Sequence, residues 1–274
     1  MYLKDAFDLA FTTRDSWISG SGAGTARINA GHVKRILGLY QVVEEIDTIH
    51  FTKLTTTLLE EEYSPATINK ITSVLSTLLT ELRQLGYKLD TVKYKRQKEQ
   101  QGRPHFFKEN EIDAILAATK LRNDHLLLHD STLFALKTGC RQGEMLRLTD
   151  EDIDFERRTI SFLNTKNGSD HVIKMHDDLV EILERRMAQR IDERLFSWRD
   201  KDQLLRAFKK AMEDAGLEPG RVWHTLRHTT ATWLCERGVP LRAVMGVLNH
   251  SNVKTTLRYA KASDKSVAAA IDLL

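Results

Sequence analysis

The stretch His224-Thr225-Leu226-Arg227-His228, followed by Asn249-His250 and then by Tyr259, decides how this chain is read. Two imidazoles, a guanidinium and a phenol recur there at short spacings. A second arginine stands far upstream, in Thr138-Gly139-Cys140-Arg141-Gln142-Gly143-Glu144. A pair of arginines suits a phosphate, because each planar fork donates two parallel hydrogen bonds to its oxygens. A tyrosine beside such a clamp is a candidate nucleophile. The set points to covalent chemistry on a phosphodiester without a metal, and therefore to nucleic acid.

Working outward, the 274 residues suffice for two domains with an ample core. Apolar content of 41% and charged content of 29% fit a globular chain rather than a disordered one. The net charge is only +3, so the distribution of charge says more about a nucleic-acid partner than the sum does. Cys140 and Cys235 are the only cysteines, and no C-x-x-C occurs. Neither a disulfide framework nor a zinc knuckle is indicated. Met1 to Ala10 lacks a signal-peptide pattern, and no apolar run is long enough to span a bilayer. A reducing cytoplasm is the expected compartment.

The first 90 residues read as a helical domain, with helices over Tyr2 to Phe11, Thr25 to Tyr40 and Lys53 to Tyr63. The clearest helix follows Ser64, a good N-cap, with Pro65 in the first turn. Ile68, Ile71, Leu75, Leu78, Leu82 and Leu85 form one apolar stripe, and Gly86 stops the helix. Residues 91–104 read as a basic linker. Lys93, Lys95, Arg96, Lys98 and Arg103 lie there among polar neighbours and are suited to tracking phosphates.

Residues 105–274 read as a second, mostly helical domain. Helices are expected over Glu109 to Ala118, Asp124 to Lys137, Arg141 to Leu146, Asp177 to Met187 and Lys201 to Ala215. Three more follow, over Thr225 to Arg237, Leu241 to Leu248 and Lys254 to Tyr259. Thr159 to Leu163 and Asp170 to Met175 alternate as strands, and Asn167-Gly168 between them is a hairpin turn signal. Lys166 therefore sits at a hairpin tip. An apolar tail, Ser266 to Leu274, ends the chain.

Each candidate side chain also has a plain structural alternative. Arg141 can pair with Glu144, three residues on. Tyr259 can be a packed ring, as Tyr40, Tyr63 and Tyr87 are expected to be. Lys166 can be a solvated turn lysine, with Lys174 its competitor as a proton donor. His224 and His228, at i and i+4, have metal-pair spacing. The residues between them are Thr, Leu and Arg, however, and a cation at the centre argues against a metal.

Taken together these positions resemble the tyrosine recombinase (phage integrase) family. Its marks are Arg in G-x-R-x-x-E, a hairpin Lys, H-x-L-R-H, a later Gly-His or similar pair, and a Tyr about nine residues on. The matching residues are Arg141, Lys166, His224 with Arg227, His250 and Tyr259. They span residues 138 to 260, in the family's order. Asn249 replaces a frequent Gly and Met145 a frequent Leu.

The resemblance implies a mainly α fold with a small β-hairpin or sheet. A helical core-binding domain and a catalytic domain would form a C-shaped clamp on double-stranded DNA. It implies that Arg141 and Arg227 neutralise the scissile phosphate, that His250 hydrogen-bonds it, and that His224 serves as acid or base. Lys166 would protonate the leaving 5′ oxygen, while Glu144 and His228 orient or buttress the others. Tyr259 would form a 3′-phosphotyrosine with neither metal nor ATP, its ionisation favoured by the surrounding Arg and His residues. Partners implied are attachment or core sites and a synaptic homotetramer, with a monomer or weak oligomer off DNA. Accessory DNA-bending proteins are a further possible partner. The rivals are a type IB topoisomerase-like relaxation and a DNA-binding regulator with a decayed site.

Overall fold

The computed structural model describes residues 1–20, 22–99, 105–122, 124–163 and 170–259. The chain divides into two compact units, 1–101 and 102–274. Among the described residues no helix is long and apolar enough to cross a membrane.

The first unit contains α1 (Leu3–Thr13), α2 (Asp15–Ile18), α3 (Ala23–Leu37), α4 (Thr48–Glu60) and α5 (Pro65–Gln84). Helix α5 forms as the sequence dictates. The Ser64 hydroxyl accepts from Thr67 N at 3.3 Å, and Ile68, Ile71, Leu75, Leu78 and Leu82 are fully buried. Leu85 leaves the stripe. It caps the helix, is 44% exposed, and is followed by Gly86 at φ +94°. Helix α4 starts five residues before the expected Lys53, because Asp47 caps it, its Oδ1 accepting from Ile49 N at 2.9 Å and His50 N at 3.2 Å. The short α2 was not expected; it carries Trp17 into the core beside Phe7 and Phe11.

The chain after α5 stays on this unit. Tyr94 stacks on Phe51 at 4.4 Å between centroids. The buried Asn69 amide donates to Gln97 O at 2.9 Å and to a Glu99 carboxylate oxygen at 2.8 Å, and accepts from Gln97 N at 2.8 Å. Val92 and Tyr94 turn inward, which leaves Lys93, Lys95, Arg96 and Lys98 all exposed. Arg103 lies outside the described residues.

The second unit runs α6 (Glu109–Lys120), α7 (Leu127–Thr138), α8 (Gln142–Met145), β1 (Ile153–Asp154), β2 (Thr159–Phe162) and β3 (His171–Lys174). It continues with α9 (Asp177–Gln189), α10 (Lys201–Asp214), α11 (Thr225–Glu236), α12 (Leu241–Leu248) and α13 (Val253–Leu257). The three strands form an antiparallel sheet in the order β1-β2-β3, with Ile160 facing Ile173 and Phe162 facing His171. Ile160 and Phe162 point into the core. The two-residue β1 is too short to leave a periodic signal in the sequence. Helix α7 lies deepest. Phe134 packs on Phe196, and Ser131 accepts from the Trp198 indole at 2.9 Å. The mainly α class with a small sheet is thus as expected.

Candidate active site

Helix α7 ends at Gly139, and this glycine shapes the site. Its φ is +62°, in the left-handed region, and a Cβ there would lie 2.8 Å from Leu248 Cδ2 and 3.2 Å from Thr230 Cγ2. Only glycine lets α11 and α12 close on the end of α7. The next two residues are Cys140, buried with its thiol pushed up to about 12 by desolvation, and Arg141.

Arg141 begins α8 and is held by Glu144. One carboxylate oxygen accepts from the Arg141 backbone N at 2.7 Å and the other from its guanidinium at 2.7 Å. A second guanidinium nitrogen donates to Asn249 O at 3.3 Å. Arg227, on α11, donates to Gly139 O at 2.6 Å and to Leu248 O. Both forks therefore rest on main-chain carbonyls of the stretch 248–249, and Arg227 also on Gly139 O. Asn249 makes the stretch 248–249 possible. It takes the left-handed conformation, φ +47°, that ends α12, a role asparagine tolerates where glycine is usual.

Arg227 is 4% exposed, and among the described residues no carboxylate lies within ion-pairing distance of it. Burial, then repulsion from Arg141, pushes its pKa down to about 10, against the opposing pull of Glu144. It remains protonated at neutral pH, as a buried cation whose partners are carbonyls.

Three imidazoles surround this charge. His250, just after Asn249, is fixed by Thr256 Oγ1 at 2.8 Å, and burial followed by Arg227 and Arg141 pushes it down to about 4. His224, before α11, is lowered by burial and then by Arg227 and Arg141. His228 stands one turn on, edge-on to His224 at 4.8 Å between ring centres, and is pushed down to about 4 by burial and then by His224. All three are neutral at pH 7.

Tyr259 follows α13. Its ring is 8% exposed and packs with Ala231, Val244 and Leu248, and its hydroxyl is hydrogen-bonded to His228 Nδ1. Burial pushes the phenol pKa up, outweighing the downward pull of Arg258 and Arg227. This corrects the expectation of a tyrosine ionised by clustered Arg and His charge. The histidines carry no charge, and desolvation outweighs the arginines.

Arg141, Glu144, His224, Arg227, His228, His250 and Tyr259 are thus gathered from four parts of the second unit. Lys166 lies outside the described residues. Lys174 is exposed, and its ammonium donates to Arg157 O at 3.2 Å, at the end of β3 away from the turn. The sequence reading missed Thr256 and the carbonyls of Gly139, Leu248 and Asn249. Main-chain acceptors leave no signal in residue type. Thr256 is an ordinary helix residue until His250 is seen beside it.

Residues 105–266 match the phage integrase family. The tyrosine recombinase XerA of Pyrococcus horikoshii is 27% identical over 221 residues, which cover 75% of this chain and 73% of that protein. The integrase of the Tn1549 transposon, solved with transposon right-end DNA, has a TM-score of 0.82 at 17% identity over 99% of each chain. A lambda integrase tetramer bound to a Holliday junction has a TM-score of 0.78 at 18% identity, covering 95% of this chain and 78% of that one. At these identities the structural likeness is one of fold. The family match spans more than half of the sequence. The chain accordingly belongs to the phage integrase family and is a tyrosine-type site-specific recombinase.

Proposed function

We propose that Arg141 and Arg227 receive the scissile phosphate of a DNA strand and that Tyr259 attacks it. The observation that carries this reading is Arg227, a buried guanidinium beside a second one and, among the described residues, with no carboxylate at ion-pairing distance. A phosphodiester relieves the repulsion between the two forks and stabilises the charge that grows on its oxygens during attack. Glu144 aims Arg141 rather than exchanging protons. His250, held by Thr256, presents its remaining nitrogen to the phosphate, and the neutral His224 stands as acid or base. His228 holds the phenol.

The Tyr259 phenol gives its proton to a neutral imidazole of the site as its oxygen bonds to phosphorus, the bond to the 5′ oxygen breaks, and a 3′-phosphotyrosine results. The leaving oxygen takes a proton from Lys166. Lys174, the rival donor, is engaged at the far end of its strand, about 10 Å from the turn-proximal end of β3 at ~3.3 Å per residue. A 5′ hydroxyl of the partner strand then reverses the step. The bond energy is kept in the phosphotyrosine, so neither ATP nor metal is needed. The catalytic residues are thus Arg141, Lys166, His224, Arg227, His250 and Tyr259.

The first unit acts as the core-binding domain, and the exposed Lys93, Lys95, Arg96 and Lys98 follow the DNA backbone. Strand exchange takes place in a homotetramer, as the lambda integrase assembly on a Holliday junction suggests. Topoisomerase-like relaxation and a decayed site are not favoured, since relatives such as the tyrosine recombinase XerA are named recombinases and all six expected residue types are present in the sequence.

The test is a nicked suicide substrate carrying the element's attachment core. The wild-type chain should form a covalent protein–DNA adduct. Tyr259→Phe should form none, while still retarding the DNA in a gel. An adduct with the Phe variant would remove Tyr259 from the role.

A further inference from the structure

His228 lies on α11 immediately after Arg227, and Tyr259 follows α13. The Tyr259 hydroxyl is hydrogen-bonded to His228 Nδ1, with the two rings 5.7 Å apart and tilted by 40°. Among the described residues no other side chain is hydrogen-bonded to the phenol. His228 is neutral at pH 7, so one of its nitrogens holds a lone pair. The hydroxyl therefore donates, Nδ1 accepts, and Nε2 carries the imidazole proton.

Both partners are held in place. The Tyr259 ring packs with Ala231, Val244 and Leu248, and its backbone N donates to Thr256 O at 2.9 Å. His228 is fixed by its helix, whose preceding residue, Arg227, is anchored to Gly139 O. The other two imidazoles are engaged elsewhere. His250 meets the Thr256 hydroxyl, and His224 packs edge-on against His228. Of the three, only His228 has a formed proton route to the phenol.

We propose that His228 is the base that takes the phenol proton of Tyr259 during cleavage and returns it during rejoining. This names the imidazole in the reaction above and rests on Tyr259 being the nucleophile. As the phenol oxygen bonds to phosphorus, its proton passes to Nδ1. The bond from phosphorus to the 5′ oxygen breaks, and its electron pair leaves with that oxygen. In rejoining, the attacking 5′ hydroxyl gives its proton back to the acid that supplied it. The tyrosyl oxygen leaves, and the His228 imidazolium protonates it.

Off DNA this base is weak. Burial, then His224, Arg258 and Arg227, push His228 down to about 4, while burial pushes the phenol up from its ordinary ~10. Transfer is then unfavourable by more than about a millionfold, and Tyr259 stays protonated. A phosphodiester held by Arg227 and Arg141 offsets part of the positive charge that depresses His228, so the base strengthens where substrate is bound. The proton moves as the new bond drains charge from the phenol oxygen.

The experiment follows single-turnover adduct formation on a suicide substrate with a 5′-bridging phosphorothiolate. Its sulfur leaves without a proton, so the rate reports on the nucleophile whichever group is the acid. The rate constant is independent of the folded fraction, which the amplitude reports. His228→Asn keeps an amide oxygen that accepts a hydrogen bond but is not a base. Both chains are made with tyrosine and with the more acidic 3,5-difluorotyrosine at position 259. With tyrosine, His228→Asn should slow cleavage at least about a hundredfold, the lower end of the general-base range. With difluorotyrosine, whose phenol ionises with less help, the same substitution should cost less than about tenfold.

Near-wild-type cleavage by His228→Asn would show that a hydrogen bond suffices. An equal loss with either tyrosine would show that His228 only orients the ring. Each result overturns the proposal. His228→Gln, with the same amide on a longer arm, replaces His228→Asn if the latter no longer retards DNA in a gel. Tyr259→Phe is the reference. An adduct with that variant means that the nucleophile itself is misassigned, and the two failures are told apart.

Discussion

The second unit holds two clusters built around paired arginines, and they differ in how charge is shared. Arg185 and Arg186 both meet Asp130, which is fully buried. Arg185 grips its carboxylate with bonds of 3.0 and 2.8 Å, and Arg186 Nε lies 2.7 Å from the same group. Arg186 also donates to His125 O at 2.6 Å. In the other cluster, among the described residues, Glu144 pairs with Arg141, and Arg227 is hydrogen-bonded to carbonyls and to no carboxylate. The charge of the first is balanced at contact distance from within the fold. The second has a guanidinium whose counter-charge the fold does not supply at contact distance. Buried arginine is thus no mark of function by itself. The informative feature is a buried arginine without a carboxylate at contact distance.

That difference is most exposed to test at Asp130. Burial pushes its carboxyl up, but the His129 ring, the Arg185 hydrogen bonds and the two guanidinium charges hold it below the usual range. Asp130→Asn removes the charge shared by the buried Arg186 and the half-buried Arg185. Breaking a buried pair on one side costs about 3–5 kcal/mol, so chemical denaturation should show a loss of that size. Cleavage per folded molecule should be close to wild type. A variant that kept its stability but lost cleavage would reverse the roles assigned to the two clusters.

Arg227→Lys is the converse experiment. Lysine keeps the charge but cannot span Gly139 O and Leu248 O while presenting a fork to phosphate. Single-turnover cleavage, corrected for folded fraction, should fall at least about a hundredfold, the scale for one preorganised donor. Near-normal cleavage would show that charge alone suffices and that the carbonyl contacts serve only the fold.

The sequence made much of this legible, and for physical reasons. The stripe Ile68 to Leu82 reads as a helix because one face must be buried, and Ser64-Pro65 mark its start. The ends of α7 and α12 follow from the helical pattern, though the deeper role of Gly139 and Asn249, letting α7, α11 and α12 meet, depends on contacts between distant segments. The candidate site residues can be named from type and order alone, and those that are described lie together. Their electrostatics were not. His224, His228 and His250 look like a source of positive charge in the sequence, yet burial and the neighbouring arginines hold them neutral. The short α2 and β1 offered too few residues for a period to show. Asp47 offered the cap that starts α4 early, and was overlooked because the apolar pattern strengthens only from Phe51 onward.

The smallest expected effect, and the one that probes the contrast without a substitution in either arginine pair, is the pH dependence of stability. His228 and His250 are pushed down to about 4 in the folded chain, against an ordinary 6.5. Between those values the unfolded chain binds protons that the folded chain refuses. Stability from these groups is therefore complete above about 6.5 and is lost as pH falls towards 4. Asp130, held low, gives up its contribution only below the carboxylate range, so the two clusters separate along the pH axis. Each half-buried ring should contribute about 1 kcal/mol after solvent screening. Urea denaturation at pH 7 and pH 5 should show the fall, and His250→Gln should flatten it. Added sulfate sharpens the test. If the charges of Arg227 and Arg141 help keep the rings neutral, an anion that offsets them should raise the histidine pKa values and reduce the loss at pH 5. A loss that sulfate leaves unchanged in the wild-type chain would count against an arginine pair that takes up an anion and thereby sets the charge of the histidines.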